Sequence, residues 1–363
     1  MLVGDPLSKE ELQQRALELL DLEGLEGPER CEAFLNAAKM IRYGDPKLMV
    51  AFAEYAADLA DELDPEVYGL PVVVDCRCRT MIELGNAYRV ADRLEDAGEA
   101  LGEAADLWYQ GSHDELVMAR LVDCQASFYA DRRQFALALA ALDTIYSIYE
   151  QLGDTHRAGR ALISKGIYRG YQGEQEEAIQ LLEAGLAKIE PQLEPNLHFA
   201  GVQSQAYFLA ILGRLRDARK LLWGNNFPTE VVEAPINRLK LLWVESVIEA
   251  GLGDPQRAEA GFQEVLRGFE KEKLYYNGAL AGLELVHLWY RQGQMEKVRE
   301  AVAGLVKIFQ SYHVHREAFL ALTLLEKAVE RGIEAEVILN QVTDFVRRAE
   351  MQPELKFEDW FPS

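Results

Sequence analysis

The residues able to do chemistry are few and widely separated. The 363-residue chain holds four cysteines, Cys31, Cys76, Cys78 and Cys124, and six histidines, His113, His156, His198, His287, His313 and His315. The cysteines are too few and too irregularly spaced for a disulfide framework. Cys76 and Cys78 would point to different sides of a helix, with no histidine near them in sequence to complete a metal site. Reduced structural thiols are expected. His313 and His315 flank a single residue in a turn, but two histidines without a third or fourth ligand make a weak metal site. Acidic pairs such as Glu176–Glu177 and Asp61–Glu62 suit solvated helix faces, or first turns where they complement the helix dipole. The chain contains no Gly-x-Ser-x-Gly, His-Glu-x-x-His, Gly-x-x-x-x-Gly-Lys-Ser/Thr or Gly-x-Gly-x-x-Gly. The pattern predicts no enzyme, no cofactor and no metal.

Charge narrows the partners. The formal charge is −22, and no run of Lys or Arg offsets it, so the long-range field repels phosphate. Nucleic acid and anionic membrane surfaces are both disfavoured. The first 70 residues, with 16 acidic and 6 basic side chains, carry a disproportionate share of this charge. No stretch approaches the roughly 18 apolar residues of a membrane span. Met-Leu-Val-Gly-Asp-Pro lacks the basic and apolar regions of a secretion signal, and a cytoplasmic location is expected.

The elements that would position any site are read from a repeat. Gly173, Gly213, Gly253 and Gly293 lie forty residues apart, and five positions after each stands Ala178, Ala218, Ala258 or Val298. Ala138 and Ala97 precede these at steps of 40 and 41, and Gly332 and Val337 follow at a step of 39. Gly44-Asp45-Pro46 recurs as Gly253-Asp254-Pro255. The intervals predict antiparallel helix pairs turning near residues 44, 92, 133, 173, 213, 253, 293 and 332. With 49% apolar residues, each pair can bury one face on its neighbours, so the core extends in one dimension.

Ser8 to Asp21 reads as an initial helix, with Ser8 and Glu11 in capping-box spacing. A second helix runs from Glu29 to Tyr43 and stops at Gly44. Asp45–Pro46 then supplies a cap and a first-turn proline for the next. Asp64 to Pro71 reads as a loop, or a short turn over a groove. Glu190–Pro195 and Trp223–Pro235 are the other expected irregular connections. Three regions result: a capping helix in 1–28, a repeat array in 29–350, and a tail in 351–363. Leu355, Phe357, Trp360 and Phe361 in that tail either cover the last repeat or dock a partner.

The segment Cys78–Trp108 carries Leu84-Gly85-Asn86-Ala87-Tyr88, a break at Asp92, then Ala97, Leu101 and Ala104. It resembles the tetratricopeptide (TPR) signature, in which a small residue lets two antiparallel helices touch. The unit is about 40 residues against the usual 34, similar to the long repeats of bacterial signal-responsive regulators and kinesin light chains. The resemblance implies an all-α, right-handed α-solenoid of about eight helix pairs.

It also implies a concave groove lined by the first helix of each pair. Carrying the TPR register over puts Arg79, Arg120, Arg160, Ala200 and Lys240 at the second positions of consecutive pairs, a basic column along one face, with Asn86 and Arg89 as partial carboxylate-gripping residues. Tyr171, Tyr207, Trp243, His287 and Tyr290 become apolar anchors. The same arginines could instead pair with neighbouring glutamates, and the aromatics could be core. Cys124 and Ser127 depart from a full clamp for a terminal carboxylate. The expected function is an interaction scaffold binding a protein or peptide, including one with an acidic segment, within a bacterial regulatory or signalling assembly. A ligand- or signal-peptide-sensing arm and an oligomerisation module are the alternatives.

Overall fold

The computed structural model describes residues 9–17, 22–41, 45–312, 316–332, 335–352 and 354–360. Every regular element among them is a helix. The chain divides into two compact units, Met1–Leu152 and Gly153–Ser363.

The first unit contains α1 (Lys9–Leu17), α2 (Gly27–Ile41), α3 (Pro46–Asp61), α4 (Pro65–Tyr68), α5 (Leu70–Val90), α6 (Leu94–Gln110), α7 (Glu115–Asp131) and α8 (Phe135–Gln151). Its helix starts are written locally. The Asp45 carboxylate accepts the backbone N–H groups of Lys47 and Leu48 at 3.1 and 3.0 Å, with Pro46 in the first turn. Asp64 and Asp114 cap α4 and α7 in the same way, each satisfying a donor that has no intrahelical partner. Ser8, Tyr43 and Gly44 lie outside the described residues.

Of the two readings of Asp64–Pro71, a loop or a short turn, the chain forms a short helical turn. Pro65 opens the one-turn α4, Gly69 turns the chain at φ 85°, and Pro71 sits in the first turn of α5. Both prolines fall where a helix needs no N–H, so they start helices rather than break them.

The second unit begins with α9 (Thr155–Tyr171), α10 (Gln175–Leu186), α11 (Pro195–Ile211) and α12 (Leu215–Gly224). A short α13 (Thr229–Glu233) interrupts the connection expected to be irregular between Trp223 and Pro235. The unit continues with α14 (Pro235–Leu252), α15 (Pro255–Lys271), α16 (Tyr275–Arg291), α17 (Met295–Tyr312), α18 (Arg316–Arg331), α19 (Ala335–Met351) and α20 (Phe357–Trp360).

Consecutive helices pack as antiparallel pairs. The chain reverses through residues with φ between 60° and 101° at Asp92, Arg133, Gly173, Gly213, Gly253, Gly293 and Gly332. Ala97, Ala138, Ala178, Ala218, Ala258 and Val298, five positions on, have no exposed surface. They lie where the two helices of a pair cross, and a small residue there lets them approach. The fold is an all-α, TPR-like helical-repeat solenoid.

The regularity stops at the last pair. Val337, next in the series, is 53% exposed. The second helix of that pair, α19, packs on α18 and also on α16 and α9. A helix of 17 residues is about 25 Å long, enough to run along the face formed by the first helices of the preceding pairs. Its apolar stripe, Leu339, Val342, Phe345, Val346 and Ala349, is at most 1% exposed. Phe357 and Trp360 then close on Phe345 with ring centroids 6.4 and 5.9 Å away, and the Phe357 N–H donates to Glu317 Oε2 at 2.8 Å. Pro353 and Phe361 lie outside the described residues.

Close approach is most severe between α9 and α10. A Cβ on Gly159 would lie 2.9 Å from the Gly185 carbonyl oxygen and 2.8 Å from Lys188 Cβ. Gly159→Ala is expected to destabilise by about 1–3 kcal/mol through overpacking, seen as a lower midpoint in urea. Gly102→Ala on α6, where nothing lies within 4 Å of the added Cβ, should instead gain up to about 1 kcal/mol from helix propensity. Equal responses at the two positions would refute the close-approach reading.

Candidate functional site

The predicted binding residues fall into two groups with different surroundings. In the first unit, α5 and α7 place Arg79, Glu83, Asn86, Arg89, Arg120 and Asp123 on neighbouring turns. Arg120 meets Glu83 through a two-pronged contact, Nε to Oε1 and Nη2 to Oε2, both at 2.8 Å. Its Nη1 also reaches Asp123 Oδ2 at 3.0 Å. Lys39 of α2 approaches Glu83 from another side at 3.3 Å. Burial alone would raise the Glu83 carboxyl, but Arg120's hydrogen bonds and charge, with Lys39, hold it below the usual range. Arg89 donates from Nε and Nη2 to Asn86 Oδ1 and from Nη1 to Asp131 Oδ2 at 2.6 Å. Asn86 and Arg89 therefore hold each other. Arg79 is exposed, with its Nε 3.4 Å from the Asp75 carbonyl.

In the second unit, Arg160 pairs with Glu194 at 3.1 Å, and Lys240 is half-buried on α14. Burial lowers the Lys240 pKa, opposed by the charge of Glu350 on α19. The aromatics at groove positions of successive first helices come together. Tyr171 and Tyr207 have centroids 6.3 Å apart, Tyr207 and Trp243 4.7 Å, and Trp243 meets Phe269 edge-on at 5.9 Å. Tyr207 and Trp243 are fully buried, and burial pushes the Tyr207 phenol up to about 12. Tyr290 is half-buried against the same core.

The polar face of α19 meets these first helices. His287 Nε2 lies 3.1 Å from Thr343 Oγ1. Arg347 lies 3.7 Å from Glu284 of α16 and 3.8 Å from Asp344, and a Cβ on Gly173 would strike Arg348. A cavity of about 350 Å³ remains between α19 and the C-terminal ends of α11, α14 and α16. Burial, with the Arg291 and Arg347 charges adding to it, lowers His287 to about 4, so its imidazole is neutral at pH 7. Burial raises the Glu284 carboxyl, partly offset by Arg347 and Arg291.

The cysteines are spread through the first unit's core. Cys76 packs with Cys31, whereas Cys78 packs on the other side of α5, its thiol 3.2 Å from the Ala104 carbonyl. Burial pushes Cys78 up to about 11 and Cys124 up to about 12, which keeps both as thiols. His313 and His315 lie outside the described residues.

Glu83, Asp123, Glu284, Asp344 and Arg347 were not singled out from the sequence. On α19 a signal was present: Asn340, Thr343, Asp344 and Arg347 form a polar stripe at helical spacing opposite the apolar one.

No protein-family model matches the chain, and no curated protein matches it in sequence. Solved structures do. A Rap protein crystallised in complex with competence and sporulation factor superposes with a TM-score of 0.61 at 16% identity, covering 92% of this chain and 90% of that one. Aspartyl phosphate phosphatase F from Bacillus subtilis superposes with a TM-score of 0.50 at 15% identity, covering 81% of this chain and 77% of that one. At these identities the likeness is one of fold. No helix among the described residues is long and apolar enough to cross a membrane.

Arg120→Ala would leave Glu83 buried with Lys39 as its remaining cationic neighbour. The expected loss is roughly 2–3 kcal/mol, below the range of a fully buried pair because about a third of the Arg120 side chain stays in water. Urea unfolding at pH 7 measures it. His287 gives a pH test. Its folded pKa lies below the unfolded value of about 6.5, so as pH falls from there towards 4 the unfolded chain gains a proton that the folded one does not. Stability is therefore lost on acidification through that window. Between pH 7 and 5 the wild type should lose about 2 kcal/mol more than His287→Gln.

Proposed function

We propose that this chain is a non-catalytic interaction scaffold that binds a protein or peptide segment within a bacterial-type regulatory or signalling assembly. The observation that carries the reading is the ordered polar surface of α5 and α7. Arg120, Asp123 and Asp131 keep about a quarter to nearly half of their side chains in water while fixed by neighbours, and Arg79 stands exposed beside them. Pre-organised charged groups give orientation and specificity at low ordering cost. Both signs are present, so the surface suits a polar segment of mixed charge rather than a purely acidic one. The fold shared with a Rap protein solved in complex with competence and sporulation factor supports the same class of role. The raised thiols of Cys78 and Cys124 and the neutral, half-buried His287 fit structural residues better than a catalytic centre.

The sensing alternative has a separate support. In the second unit the first-helix face is covered by α19, which leaves a partly enclosed cavity. A closed pocket is what a small-ligand sensor needs and an open peptide groove does not.

The scaffold reading is tested by affinity capture from the native host with quantitative mass spectrometry, comparing wild type with Arg79→Glu. Arg79 is exposed, so charge reversal should leave helicity by circular dichroism unchanged. Recovery of the specific partner should fall about fivefold, consistent with the roughly 1 kcal/mol of an exposed charge contact. Undiminished recovery would remove the α5–α7 face as the docking surface.

A further inference from the structure

We propose that the cavity between α11, α14, α16 and the polar face of α19 binds a small zwitterion of amino-acid to dipeptide size. Its carboxylate is held by Arg347 and Arg291, and its ammonium group by Glu284 and Asp344. The volume, about 350 Å³, lies within the range of small-molecule sites, as does the combination of apolar walls with a few converging polar groups. Ile211, Leu215, Val247, Ala250 and Leu288 supply the apolar wall, which suits an aliphatic side chain.

Arg347 points to a ligand. It is only 6% exposed, yet its Nη2 stands 3.7 Å from Glu284 and its Nη1 3.8 Å from Asp344, beyond hydrogen-bonding distance. Its Nε is buried without a hydrogen-bond partner among the described residues, and the nearby Tyr207 hydroxyl, which interacts with the guanidinium, is likewise buried and unsatisfied. A guanidinium carries five N–H donors in a planar fork, and leaving one unmet in a buried site is unfavourable. A carboxylate matches that fork with two parallel hydrogen bonds.

Charge balance sets the rest of the ligand. Two arginines and two carboxylates line the cavity, Asp344 also meeting Arg348 of its own helix at 3.1 Å, and His287, its Nε2 against Thr343, adds no charge at neutral pH. A lone anion would satisfy Arg347 but face Glu284 and Asp344, and a lone cation would face both arginines. A net-neutral molecule carrying both signs meets all four groups. An ammonium needs Glu284 ionised, so affinity should weaken on acidification. The α5–α7 face takes no part, so partner capture and zwitterion binding can fail independently.

The test is calorimetry and thermal unfolding of the full chain with four probes: L-leucine, L-leucyl-L-leucine, 4-methylpentanoate and 3-methylbutylamine. At least one zwitterion should raise Tm by about 3–4 °C when present at roughly a hundred times its Kd. The carboxylate-only and ammonium-only probes should bind at least about tenfold more weakly, each having lost one charged contact. The better of leucine and its dipeptide reports the size of the site. Arg347→Met should weaken zwitterion binding about tenfold or more. Because that variant could unfold, Ala250→Leu is paired with it, narrowing the cavity from the apolar wall and keeping all four charges. It too should weaken binding by about tenfold. No binding of either zwitterion up to about 10 mM, well above a Kd of 1 mM, would overturn the proposal. So would equal binding of 4-methylpentanoate, or binding undiminished in Ala250→Leu.

Discussion

The structure depends on how closely two antiparallel helices can approach within a pair. At Ala97, Ala138, Ala178, Ala218 and Ala258 the crossing point carries one methyl group, fully buried. Dispersion contacts fall off steeply with separation, so this spacing decides how well the larger residues beside each crossing interdigitate. Where the approach is closest, at Gly159 and Gly185, even a methyl is excluded. The remaining features follow from it: the reversals with positive φ, the pairs stacking within each unit, and the aromatic series Tyr171–Tyr207–Trp243, which needs successive first helices in register.

The pair formed by α18 and α19 departs from the others. An interior second helix packs between its own first helix and the next pair. α19 instead packs on α18, α16 and α9, and Leu339, Val342, Phe345 and Val346 become buried. The exposure of Val337, the periodic successor of Val298, records the departure. With the apolar stripe in the core, Asn340, Thr343, Asp344 and Arg347 lie along the cavity.

Electrostatics separates the two units further. In the first, Glu83, Arg120, Lys39 and Asp123 meet at 2.8 to 3.3 Å, and the buried carboxylate is well compensated. In the second, Glu284 and Arg347 face each other at 3.7 Å, too far for direct hydrogen bonding, and burial rather than pairing dominates the Glu284 and His287 titrations. A compensated network favours a rigid surface, whereas an under-compensated one favours acceptance of a ligand.

Much of this was determined by the sequence itself, because local rules carried it. The forty-residue glycine and alanine intervals located the turns, and Asp45–Pro46 capped a helix where expected, since caps and positive-φ turns depend on a few adjacent residues. The TPR register likewise assigns Tyr171, Tyr207 and Trp243 to one face as groove anchors, whereas the structure buries Tyr207 and Trp243 fully. Tertiary structure alone decided what lies against that face. Whether Arg79, Arg89, Arg120 and Arg160 stand free depends on carboxylates 34 to 42 positions away, as with Glu83, Asp131 and Glu194. That α19 covers the second unit's inner helices depends on contacts spanning well over a hundred residues, which no local pattern encodes. Periodicity reports which side of a helix is apolar, but the identity of the surface that buries it is settled only when the whole chain has packed.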